Sequence, residues 1–74
     1  SHVSLGALFS CEIDGSEDRF FYAGVAGGQV IELDGAEVTV FTPQSPLAAR
    51  LRGLRAGESV RMPNGVFWQV TSIE

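Results

Sequence analysis

The chain has 74 residues, 45% of them apolar and 19% charged, with a formal charge of −4. That length allows one domain with a thin core, because a fold of roughly this size buries only about 60–65% of the surface its unfolded chain exposes, and no apolar run approaches the roughly 20 residues of a membrane-spanning helix. A single cysteine, Cys11, excludes an internal disulfide and makes a reducing cytoplasm the expected compartment.

The charge is divided unevenly. Residues 1–37 carry seven acids against Arg19 alone, for −6, whereas residues 38–74 carry Glu58 and Glu74 against Arg50, Arg52, Arg55 and Arg61, for +2. An acidic body with one small arginine face is a poor partner for duplex nucleic acid, whose affinity scales with cationic phosphate contacts. An acidic protein patch suits it better.

In chain order, Leu5, Ala7, Phe9, Cys11 and Ile13 alternate with Gly6, Leu8, Ser10, Glu12 and Asp14, the period of a half-buried strand. The acidic stretch Asp14 to Asp18 predicts a turn, and Arg19 to Val25 a strand with apolar groups on both faces. Gly27-Gly28 then permits unusual backbone angles. Gln29 to Leu33 reads as a short strand ending at Asp34-Gly35, a hairpin signal, with Ala36 to Thr42 as the return strand.

From Thr42 the period changes. Ser45 is a favoured N-cap, and Pro46 suits the first helical position, where no amide is needed and a helical φ is an advantage. Leu47, Leu51 and Leu54 follow at i, i+4 and i+7, placing one apolar stripe against the sheet. Gly53 and Gly57 stop the helix. Ser59 to Met62, a turn at Pro63-Asn64-Gly65, and Val66 to Ile73 complete the pattern, with Val66, Trp68 and Val70 on one face. The sum is an α+β domain: an antiparallel sheet of four to six strands with one short helix.

Catalytic signals are sparse. The only histidine, His2, sits at the chain end, so neither a zinc site nor a Cys/His pair is expected. Glu17-Asp18 reads as solvated acids in a turn rather than a Mg²⁺ site. Gly24, Gly27 and Gly28 form no phosphate loop, since no lysine and no helix follow. Phe20, Phe21, Tyr22, Phe41, Phe67 and Trp68 could line a ligand pocket, but a small sheet needs such side chains for its core. No cofactor or metal is expected.

The run "VTVFTPQSPLAARLRGLRAGESVRMPNGVFWQVTSIE" resembles the C-terminal domain of the GreA/GreB transcript-cleavage factors of bacterial RNA polymerase. The matching pieces are Ser45-Pro46-Leu47-Ala48, Leu51 to Leu54, Gly57-Glu58, and Pro63-Asn64-Gly65 followed by Val66 to Ile73. The earlier "LGALFSCEID" sits where that family opens with a Gly-containing strand, so the resemblance extends over nearly the whole chain. It implies an FKBP-like fold, a strongly bent antiparallel sheet on one helix. It also implies docking on the coiled-coil rim of the polymerase secondary channel through Thr42, Gln44 and Pro46, with Ser45 fixing the helix start; the charge of Arg50, Arg52 and Arg55 is expected to steer the domain toward an acidic rim. In that family the cleavage chemistry belongs to acids at the tip of an N-terminal coiled coil. These 74 residues contain no heptads, so a docking role without catalysis is expected of them. An FKBP-like prolyl isomerase and a self-associating domain are the alternatives.

Overall fold

A computed structural model describes residues 1–25 and 27–74. Six strands and one helix follow in the order β1 (Leu8–Ile13), β2 (Ser16–Tyr22), β3 (Val30–Leu33), β4 (Ala36–Phe41), α1 (Pro46–Leu51), β5 (Ser59–Arg61) and β6 (Phe67–Ile73). They form a single sheet ordered β3-β4-β2-β1-β6-β5, an open α+β arrangement.

Three hairpins build it. The first is tighter than the acidic stretch suggested. Asp14 and Gly15, at φ 51° and 82°, turn the chain in two residues, and Ile13 already faces Ser16. The acids Glu17 and Asp18 therefore lie in β2 rather than in a loop. Asp34 and Gly35, at φ 53° and 80°, close β3 onto β4 in the same manner; left-handed angles at both central positions match the twist of the flanking strands. The third turn is fixed by Asn64, whose Oδ1 accepts from the Val66 amide.

One expectation is corrected. The sheet is mixed, because β2 and β4 run parallel, with Arg19 opposite Val38 and Tyr22 opposite Phe41. The chain leaves β2, runs to the far edge as β3, and returns as β4 between β3 and β2. Alternation of apolar and polar residues records which face is buried, not the direction of the neighbour, so the pattern could not distinguish this from an antiparallel pair.

The core lies between one sheet face and α1. Phe9 and Cys11 from β1, Phe20 and Tyr22 from β2, Phe41 from β4 and Val70 from β6 join Ala48 and Leu51 of the helix in one cluster, together with Val3 and Met62. The aromatics pack on each other: Tyr22 stacks on Phe41 at 4.8 Å between centroids, and Phe9 meets Phe41 edge-on at 5.8 Å. The helix is shorter than the leucine stripe suggested. It ends at Leu51, Arg52 leaves helical geometry at ψ 131°, and Gly53 turns left-handed at φ 87°. Leu54 reaches the core from the following turn. The N-terminal segment is tied there too, with Val3 exchanging backbone hydrogen bonds with Gly53 and Leu54.

Candidate functional site

The segment joining β4 to α1 is held in one conformation by its own residues. The Ser45 amide donates to the Thr42 carbonyl at 2.9 Å, closing a four-residue turn with Pro43 and Gln44 at its centre; proline at the first central position pre-sets the required φ. Ser45 then acts as N-cap from an extended backbone (φ −72°, ψ 142°), and its Oγ accepts from the Leu47 amide at 3.1 Å. Pro46 opens the helix. The outcome is a tip on which Pro43, Gln44 and Pro46 are exposed while Thr42 and Ser45 are half-buried beneath it.

Thr42 has a different place from Gln44 and Pro46. A Cβ on Gly27 would come within 2.8 Å of Thr42 Cγ2, so the β2–β3 connection passes against Thr42 only because residue 27 is glycine. Gly24, Val25, Gly27 and Gly28 face Thr42, Gln44 and Ser45 across an open cleft of about 660 Å³. Thr42 thus buttresses the tip. Pro43, absent from the residues singled out in the sequence, belongs to it; its signal was the Thr-Pro-Gln-Ser turn composition.

Arg50 lies a turn further along α1, and its Nη1 donates to the Arg61 carbonyl of β5 at 3.1 Å. The Arg55 amide donates to Glu58 Oε1. Arg50, Arg52, Arg55 and Arg61 are all exposed; the bond from Arg50 to Arg61 puts that pair at the β5 edge, whereas Arg52 lies with Tyr22 and Pro43. The acids Glu32, Asp34 and Glu37 belong to the β3–β4 hairpin at the opposite edge of the sheet, so these three are separated in space from Arg50 and Arg61, while Glu12, Asp14, Glu17 and Asp18 lie in the central β1–β2 hairpin.

Most of the aromatic residues fill the core, while Phe21 lies on the other sheet face with Leu8, Ile31, Leu33 and Val38. Phe9, Phe20, Tyr22 and Phe41 are buried, Trp68 packs on Phe20 at 5.3 Å, and Phe67 faces solvent. Cys11 is fully buried, and burial, reinforced by Asp18 facing it across the β1–β2 ladder, pushes its thiol up to about 12. Such a thiol is neutral and inert. Glu17 is engaged structurally: the Thr71 hydroxyl donates to its Oε2 at 2.6 Å. Among the described residues, no group of three or more His, Cys, Asp or Glu side chains is placed to hold a metal ion, and no helix is long and apolar enough to cross a membrane.

No protein-family model matches the sequence, and no curated protein matches it. Solved structures do. The fold matches GreA factor homolog 1 (Gfh1) of Thermus thermophilus with a TM-score of 0.70 and 20% identity, over 100% of this chain and 49% of that one. Gfh1 of Thermus aquaticus matches with a TM-score of 0.69, also at 20% identity, over 100% of this chain and 48% of that one. The chain therefore has the fold of a part of these GreA homologues and spans about half their length.

Proposed function

We propose that this domain is an RNA polymerase-binding module of a Gre-type elongation factor, docking at the coiled-coil rim of the secondary channel through the tip Pro43, Gln44 and Pro46. The observation that carries the reading is the pre-formed turn and cap at Thr42–Pro46. A loop already fixed in its bound shape loses little entropy on association, and it presents two proline rings around one side-chain amide. The likeness to GreA homologues supports the choice of polymerase as partner. Thr42 and Ser45 act by positioning the tip. Arg50, Arg52 and Arg55 bias the approach toward an acidic surface.

The domain works by binding rather than catalysis in this reading. Prolyl isomerase activity is the weaker alternative, since Phe20, Tyr22, Phe41 and Trp68, four of the six aromatic side chains that could cradle a proline, are committed to the core, and fold alone does not establish function. Self-association through the separated charges is the other. Binding of the purified domain to polymerase core, and to core lacking the rim coiled coil, tests the proposal: binding to the first and its loss in the second is expected. Equal binding to both would displace the docking site from the rim.

A further inference from the structure

The edge of the sheet opposite Arg50 and Arg61 has a second surface that the docking tip does not use. All four residues of β3, Val30 to Leu33, are exposed, and among the described residues no strand pairs on their outer side. The hydrogen bonds decide which backbone groups are free. The Val40 amide donates to the Gln29 carbonyl, and in an antiparallel ladder alternate residues turn the same way. Gln29, Ile31 and Leu33 therefore bond toward β4, while Val30 and Glu32 direct their N–H and C=O groups outward.

The two faces beside this edge differ in chemistry. On the face away from α1, Ile31 and Leu33 line an apolar hollow of about 160 Å³ with Leu8, Phe21 and Val38. On the other face Glu32 sits directly across from Glu37, a like-charge cross-strand pair that destabilises a sheet unless a cation meets it. Edge strands are usually protected by shortness, charge, proline or a bulge; β3 is short and carries one charge, Glu32, but has no proline and no bulge.

We propose that β3 accepts an extended peptide as a seventh strand, one with apolar residues at two positions flanking a single Lys or Arg. Main-chain bonds to Val30 and Glu32 supply the pairing. The apolar residues lie opposite Ile31 and Leu33 and cover the hollow, and the cation between them falls on the face of Glu32 and Glu37. The surface is separate from the tip at Pro43–Pro46, so the inference stands independently of the polymerase reading.

Amide hydrogen exchange on the 74-residue chain, followed by NMR, tests it with two capped pentapeptides, Val-Lys-Val-Lys-Val and Val-Glu-Val-Glu-Val. With the lysine peptide at ten times its measured Kd, exchange at Val30 and Glu32 slows about tenfold, while Leu47 at the docking turn is unchanged. The glutamate peptide has no effect on the parent but protects the Glu32→Lys variant. Three results would overturn the proposal: no slowing at Val30 and Glu32 with either peptide, equal slowing with both, or slowing that follows protein concentration without peptide, which would give the edge to a second copy.

Discussion

Ser45 serves both the fold and the tip. Its hydroxyl satisfies an otherwise free amide of α1, and its own amide closes the turn that exposes Gln44. Ser45→Ala is expected to cost about 1 kcal/mol in denaturant melts through loss of the cap, and Pro46→Ala less, because alanine also suits the first turn. Gly27 is the second position where one atom matters. Gly27→Ala drives a methyl group into Thr42 Cγ2 and should destabilise by about 1–3 kcal/mol. Thr42→Ser removes that methyl, so the double variant should recover most of the loss; simple additivity of the two changes would show that the loop and Thr42 are not coupled in this way. The cap was legible in Ser-Pro before a leucine stripe. The contact with Gly27 was not, because it joins residues 15 apart through a topology that no local pattern records.

At the scale of elements, the two-residue turns do most to set register. Asp34-Gly35 and Asp14-Gly15 share the same left-handed geometry, and Gly35→Ala should cost about 1 kcal/mol, since a Cβ is strained at positive φ. The melt is the check, and the loss of Asp34→Gly should be much smaller. Leu51, fully buried at the end of α1, contributes more: Leu51→Ala should lose about 2–5 kcal/mol. Strands and turns were largely readable from period-two alternation and Gly-containing breaks. Boundaries suffered where one signal had two readings. Consecutive exposed acids look like a loop, although Glu17 and Asp18 point to opposite faces of β2, which hid its start at Ser16, and Leu54 extends a helical stripe although it reaches the core from a turn.

Across the whole molecule, sheet order places the acidic β3–β4 hairpin and the arginines of α1 and β5 at opposite edges. The charge division was visible in the sequence, but its arrangement depended on the parallel β2–β4 pair, which was not. The core also imposes a pH limit on stability. The Cys11 thiol is pushed from 9.0 up to about 12 in the fold, so the folded state retains a proton that the unfolded chain releases. Its contribution is fully present below about pH 9 and is lost as pH rises toward 12. Urea melts of parent and Cys11→Ala at pH 8 and pH 10.5 should show a steeper decline for the parent; parallel declines would mean that the thiol does not set this limit.

The docking reading is tested most directly by the affinity of the folded domain for an isolated polymerase rim coiled coil, measured for the parent, Gln44→Ala and Pro46→Ala. Binding energy concentrated at a small tip predicts that each truncation costs up to ~2 kcal/mol, about thirtyfold in Kd, with thermal melts showing that the variants remain folded. No measurable affinity in the parent, or parent-like affinity in both folded variants, would contradict it.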